Sequence, residues 1–373
     1  MELNDYFKEK TENLSFIELK ANSYIEINDY KIKDYIPLPI ITDTLIDEIK
    51  AGEMDEDIKV SNLIEGIIYT LGVDPQFKYV NEYKDILFAY NSRIKEYIFH
   101  IGVKNLMEEK IDKAMICFRA LLIIDKDNVE GLFNYGISLE EKAKEFFKLE
   151  NKEKGDVFLK EAVKRVETIL DISPEYSLAY YKLGYYYKYY GQFLKARLIW
   201  EKFMVLDKDG ERKQEIREEL DIIEDDSDYE EGCNLLFSGR HKEAIEKFIN
   251  LKGGHDCWNL NYMIGLSYKG IGDINKAIEY FVKALELNEN EVNIYNELGI
   301  CLFSIGNFEE AIEIFTRGAE IDRKDYKIIC NRGIAYFQLG MIEKAIEDID
   351  KAYKINPQDE AVNRFRNELK YDA

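Results

Sequence analysis

The sequence predicts an all-α solenoid, a stack of two-helix units, preceded by a small appendage of α+β or irregular structure. Glycines recur at Gly102, Gly136, Gly184, Gly232, Gly265, Gly299 and Gly333, in steps of 34, 48, 48, 33, 34 and 34 residues. Alanines stand twelve residues later at Ala114, Ala196, Ala244, Ala277, Ala311 and Ala345, with Ala162 delayed by an insertion after Gly136. A fixed period of this length marks supersecondary units that bury their apolar faces only by stacking on neighbours. The first 94 residues do not follow the period.

Before the first repeat the punctuation is of another kind. Residues 23–33, SYIEINDYKIK, alternate, and Asn28-Asp29 supplies a two-residue turn between short strands. Pro37 and Pro39 then interrupt the chain. Residues 42–52 read as a short helix with a Thr or Asp cap and Gly52 as its stop. A further helix starts near Ser61 and is ended by Gly72 and Pro75, and residues 77–94 lead helically onward. Residues 1–54 are expected to form an appended module, and 55–94 a degenerate repeat-like helix pair.

Seven units follow, at 95–128, 129–176, 177–210, 225–257, 258–291, 292–325 and 326–359. In 258–291, Ile264, Gly265 and Tyr268 share one face of a first helix, which Gly272 ends because glycine tolerates a left-handed backbone. Asp273 or Asn275 caps the second helix, where Ala277, Phe281 and Ala284 form one stripe. Gly265 and Ala277 are small because the two helices cross there. The extra residues between Gly136 and Ala162 add about two turns to each helix of their unit, a longer hairpin expected to project from the stack. Residues 211–224 read as an extra helix capping the first three repeats. The repeats thus divide into one block at 95–224 and a second at 225–373, whose last residues, 360–373, form a polar cap. Nine acids between Glu218 and Glu231 crowd the joint and favour a hinge there.

One unit shows Tyr180, Leu183, Gly184, Tyr187, Gly191, Ala196 and Trp200; another shows Tyr295, Leu298, Gly299, Leu302, Gly306, Ala311 and Phe315. The last has Gly333, Tyr336, Gly340, Ala345, Ala352 and Pro357. This pattern resembles the tetratricopeptide repeat family. Glu231 and Arg332 depart from it where an aliphatic residue is usual, and Asn105 where Tyr or Leu is usual. The resemblance implies a right-handed superhelix whose concave face comes from the first helix of each unit. On that face it places Tyr181, Tyr185, Lys188 and Tyr189, then Tyr229, Cys233 and Phe237, then Tyr262, Leu266 and Lys269. Asn296, Ile300 and Phe303 follow in the sixth unit, and Lys327 and Phe337 in the seventh. Tyr and Phe give a broad contact area at low rotamer cost, suited to an extended or helical peptide. The carboxylate clamp that some members use for chaperone C-termini has Lys at the fifth place of a unit, and no unit here does.

Composition narrows the chemistry. The formal net charge is −22, which repels nucleic acid and anionic membranes and favours a basic or amphipathic partner. Residues 1–94 carry 19 acids against 10 bases, so no basic face for DNA is expected there. Five cysteines without a CxxC pair read as reduced thiols. No apolar run spans a bilayer, and the N-terminus has no secretory character. A cytoplasmic protein is expected, and the abundant Ile, Lys, Asn, Glu and Tyr suggest an AT-rich bacterial genome. His255-Asp256-Cys257 lacks zinc-like spacing and reads as a polar turn, while His241 reads as a capping or exposed residue. With no catalytic constellation and no cofactor motif, the expected function is a non-enzymatic scaffold binding a protein or peptide segment. The alternatives are a peptide- or ligand-responsive regulator acting through residues 1–94, and self-association as a homodimer through an edge repeat or the hairpin at 140–160.

Overall fold

The structure, a computed structural model, describes residues 3–51, 59–253 and 257–371. The chain divides into two compact units, one of residues 1–190 with 199–213 and one of residues 191–198 with 214–373. The N-terminal elements are α1 (Leu3–Glu9), a 3-10 turn (Lys10–Asn13), β1 (Leu14–Ile17), β2 (Tyr24–Ile27), β3 (Tyr30–Lys33), β4 (Leu38–Ile41), α2 (Thr42–Ala51), α3 (Val60–Val73) and α4 (Val80–Tyr90). The repeats begin with α5 (Ile94–Met107) and α6 (Ile111–Ile124), then α7 (Val129–Lys148) and α8 (Lys152–Ile172), α9 (Ser177–Tyr189) and α10 (Phe193–Leu206), followed by α11 (Gly210–Ile222). The later pairs are α12 (Glu224–Phe237) with α13 (His241–Ile249), α14 (Trp258–Gly270) with α15 (Ile274–Leu287), α16 (Val292–Ser304) with α17 (Phe308–Ile321), and α18 (Tyr326–Gln338) with α19 (Ile342–Ile355); α20 (Glu360–Tyr371) follows. The fold is an all-α solenoid of helix pairs with a small strand-containing N-terminal segment.

The hairpin at 23–33 forms as expected, with β2 antiparallel to β3 and Asn28 at φ 52° in its turn. A second ribbon was not expected: β1 pairs antiparallel with β4, and Pro39 lies within it opposite Phe16. A two-stranded ribbon leaves one edge of each strand unpaired, which is where proline is tolerated. Gly52, the expected stop of α2, lies outside the described residues. Gly72 does not stop α3. It lies inside the helix, where a methyl group would strike the backbone carbonyl of Ile116 on α6. Gly66, on the same helix, does the same against the carbonyl of Pro39 on β4. These two glycines let α3 sit directly on α6 and β4, which it meets more extensively than α4. The helix ends at Asp74, whose Oδ1 accepts from Gln76 N at 3.1 Å.

In the repeats the periodic glycine has one recurring partner. A Cβ at Gly102, Gly184, Gly232, Gly265 or Gly299 would run into the ring of Phe118, Trp200, Phe248, Phe281 or Phe315, respectively, sixteen residues on. Gly136 and Gly333 meet Val166 and Ile349 instead. The glycine is therefore small because a ring from the second helix lies flat on it, rather than because it faces the alanine. Gly272 closes α14 at φ +82°, and the Asp273 side chain caps α15 by accepting from Lys276 N. α7 and α8 are 20 and 21 residues long against 14 in α5 and α6, which is the expected lengthening.

That hairpin is not a bare projection, because α1 packs on it. The Tyr6 ring meets Phe146 and Phe158 edge to face at 6.4 and 5.0 Å. Its hydroxyl donates to Asp112 Oδ1 at 2.5 Å, and Lys10 and Lys142 pair with the same carboxylate at 2.7 and 3.0 Å.

The acids of 218–231 do not simply repel one another. Arg197 spans Asp228 and Glu231 at 2.5 and 2.6 Å, and Lys247 reaches both at 3.0 and 2.8 Å. Glu230 accepts from the Phe193 and Leu194 amides at the start of α10, at 3.1 and 2.8 Å, where the helix leaves donors unsatisfied. Three of the nine acids, Asp228, Glu230 and Glu231, are compensated by these contacts. His241 neither caps nor stands free: its ring lies where a Cβ on Gly270 would be, and its Nδ1 is buried.

Candidate functional site

The first helix of a repeat has one face against its partner helix and another left over. In α9 the first face buries Tyr180, Leu183, Gly184 and Tyr187. Tyr181, Tyr185 and Lys188 are half-buried on the remaining surface, and Tyr189 is 57% exposed. Tyr181 and Tyr185 meet edge to face at 5.3 Å. Each also leans on the second helix, Tyr181 on Phe203 at 5.5 Å and Tyr185 on Trp200 at 5.0 Å. They are thus rigidly seated, with only part of each ring available.

A cavity of about 190 Å³ opens where the lengthened hairpin passes α9. Phe147 and Leu159 line it from the hairpin, and Tyr185, Tyr186 and Tyr189 from α9. Glu140 stands at its edge, accepting from the Tyr186 hydroxyl at 2.8 Å and pairing with Lys144 and Lys182, both at 2.8 Å. Burial pushes this carboxyl up, but the two lysines and the hydrogen bonds outweigh it and hold it below its ordinary range. Burial and the adjacent carboxylate raise the Tyr186 phenol well above its usual value. The cavity therefore has aromatic and aliphatic walls and an already compensated charge. Phe147, Glu140 and Tyr186 were not singled out from sequence; the signal was the insertion after Gly136, which alone makes α7 and α8 long enough to wall the cavity.

In the C-terminal unit α12, α14, α16 and α18 touch in succession, so their residues form one row. Tyr229 accepts from Asn259 Nδ2 at 2.6 Å and its ring lies 5.8 Å from Phe248. Tyr262 lies 5.7 Å from Phe281. Burial raises both phenols, Tyr262 to about 12. Cys233 beside Tyr229 is also pushed up by burial, so it stays a thiol. Lys269 pairs with Glu297 at 2.5 Å, and Asn296 Oδ1 accepts from Asn331 Nδ2 at 2.8 Å. Leu266, Ile300, Phe303 and Phe337 are half-buried against the core. Phe237 and Lys327 are exposed. Amide and phenol groups alternate here with apolar side chains, a surface able to hydrogen-bond a backbone while covering its side chains.

Of the other four thiols, Cys257 is exposed and Cys117, Cys301 and Cys330 are packed. Burial raises Cys117 to about 12 and Cys301 and Cys330 to about 11, which removes thiolate character at neutral pH. His255 and Asp256 lie outside the described residues.

Tetratricopeptide repeat family models match residues 272–332 and 326–359. Among curated protein sequences, none matches the chain. Similar solved structures include the TPR domain of Arabidopsis OM64, 21% identical, covering 32% of this chain and 100% of that chain with a TM-score of 0.31. YrrB, described as a TPR protein with an unusual peptide-binding site, is 19% identical, covering 67% of this chain and 97% of that chain with a TM-score of 0.29. MamA of AMB-1 is 21% identical, covering 49% and 93% with a TM-score of 0.38. The matched residues span the pairs from α15 to α19, and the same glycine-on-ring contact recurs in the earlier pairs. Residues 272–359 thus carry tetratricopeptide repeats.

Proposed function

We propose that the chain is a non-enzymatic scaffold holding a segment of a partner protein along the first helices of its repeats. The observation that carries this reading is the cavity beside α9, apolar, partly exposed and of a size for one side chain. Buried aromatic pockets of this kind are where binding energy concentrates. A net charge of −22 favours a basic or amphipathic segment, and the association weakens as salt is raised. The same charge disfavours nucleic acid. No described helix is long and apolar enough to cross a membrane.

The test is a paired affinity purification with wild type and a Tyr189→Ser, Phe237→Ser variant. Both side chains are exposed, at 57% and 75%, so their loss leaves the core intact. A partner held by wild type and lost with the variant supports the groove. A partner held equally by both moves the site elsewhere, and self-association is read from the mass of the purified protein. A regulator acting through residues 1–94 is the second reading, favoured by the packing of α1 on the lengthened hairpin that walls the same cavity.

A further inference from the structure

Among the described residues the half-buried arginines are Arg119, Arg165, Arg197, Arg212, Arg332 and Arg366. All but one reach a carboxylate: Arg165 pairs with Glu161, Arg197 with Asp228 and Glu231, Arg212 with Asp207, Arg332 with Asp348 and Arg366 with Asp350. Arg119 forms no ion pair with any described residue. Its Nη2 donates to Asn4 Oδ1 at 2.8 Å, its guanidinium lies 4.2 Å from the Phe7 ring centroid, and its Nη1 is buried without a hydrogen-bond partner. Burial lowers its pKa, the mark of a charge removed from water without full compensation. The chain has 73 acids against 51 Lys and Arg, so the missing counter-ion does not reflect a shortage of carboxylates.

Arg119 stands on the wall of a cleft of about 820 Å³ between the N-terminal elements and the end of α3. Lys8 lies on the same wall, exposed, and also has no carboxylate partner among the described residues. The single carboxylate of the lining, Asp74, is engaged by the Gln76 amide. Phe16 and Phe77 complete the wall as stacked rings 5.7 Å apart at an interplanar angle of 12°, with Phe16 44% exposed. Two cations without an ion-pair partner among the described residues, beside the exposed Phe16 ring stacked on the half-buried Phe77, are a specific arrangement in a strongly acidic protein.

We propose that this cleft binds a small oxyanion, a carboxylate or phosphate carried on a flat apolar group. Arg119 and Lys8 take the anionic end, and the Phe16–Phe77 pair takes the flat end. Guanidinium is suited to the planar oxygens of such groups, and the bound charge supplies the counter-ion that the chain does not. The proposal stands independently of the groove on the first helices.

The experiment is calorimetric titration of the full chain with inorganic phosphate and, separately, with benzoate, at fixed ionic strength in chloride. Saturable binding of at least one anion is expected, weakened about tenfold or more by Arg119→Met and by Lys8→Gln. Phe16→Ser is expected to weaken benzoate and leave phosphate unchanged, which separates the two ends of the ligand. Arg119→Met without anion is expected to melt no lower than wild type, since an unpaired buried charge gives up little when replaced by an apolar side chain of similar length. Equal titration of wild type and the Arg119 and Lys8 variants, or no heat with either anion at millimolar concentration, overturns the proposal. If Arg119→Met does not fold, the exposed Lys8→Gln decides.

Discussion

At Gly184 a single methyl group is too large, because the Trp200 indole occupies its place and donates from Nε1 to the Tyr181 carbonyl. A flat ring that is hydrogen-bonded cannot slide away cheaply. Gly184→Ala is expected to cost about 1–3 kcal/mol in urea unfolding. Gly333→Ala, where the contact is the flexible end of Ile349 at 3.1 Å, is expected to cost less. Equal losses would mean that the ring does not set the spacing. Arg332 is the second case at this scale. Where the family has an aliphatic residue, Arg332 forms two bonds of 2.7 Å with the buried Asp348 and a further contact to Thr316. These bonds outweigh burial and raise the guanidinium above its ordinary pKa. Arg332→Leu is expected to destabilise by about 3–5 kcal/mol because it strands Asp348, and Arg332→Leu with Asp348→Leu to recover most of that. Failure of the double variant to recover would show that the pair acts through packing instead. The departure at position 332 was visible in the sequence; its partner, sixteen residues away on α19, was not distinguishable from the many other acids.

Among the elements, α1 shows how a short helix of seven residues is kept in place. It buries Tyr6 and Phe7, and Tyr6 together with Lys10 of the following 3-10 turn ties it to Asp112. Burial pushes the Asp112 carboxyl up, but hydrogen bonds from Lys10, Tyr6 and Lys142 prevail and hold it below the carboxylate range. A carboxyl depressed on folding stabilises above its unfolded value near about 3.9 and loses that contribution as pH falls through the lower folded value. Asp112→Asn is therefore expected to lower the melting temperature at neutral pH and to flatten its fall between about pH 5 and pH 2.5. Hydrogen exchange in α1 should rise in the variant. An unchanged acid slope would show that Asp112 does not carry the linkage. The hairpin of β2 and β3 and the added turns of α7 and α8 were legible beforehand, since alternation and insertion length are local signals. The pairing of β1 with β4 was not, because Pro37 and Pro39 read locally as breaks and the register depends on a partner strand more than twenty residues away.

For the molecule as a whole, each pair of helices is supported chiefly by its neighbours. α20 packs on α19, burying Val362 and Leu369 and pairing Arg366 with Asp350 over the Tyr353 ring. Removing residues 360–373 is expected to increase amide exchange most in α18 and α19 and progressively less toward α12. Uniform loosening from α12 to α19 would mean that this stretch unfolds as one block.

The period of glycine and alanine, read without any coordinates, determined that the chain is a stack of helix pairs, where the pairs begin, and which pair is longer. It could do so because turns, caps and helix faces are set by residues close together in sequence. The resemblance to a known repeat family led us to expect the aromatic residues of the first helices on a concave face. Only the tertiary structure decided how much of each ring remains available: Tyr229 and Tyr262 lean on Phe248 and Phe281, whereas Tyr189 and Phe237 stand out. It alone showed why Gly72 is glycine, which acids neutralise Arg197, and that Arg119 has no counter-ion among the described residues. Each of these depends on a close approach between elements distant in sequence, and a charge or a glycine carries no local mark of the neighbour it will meet.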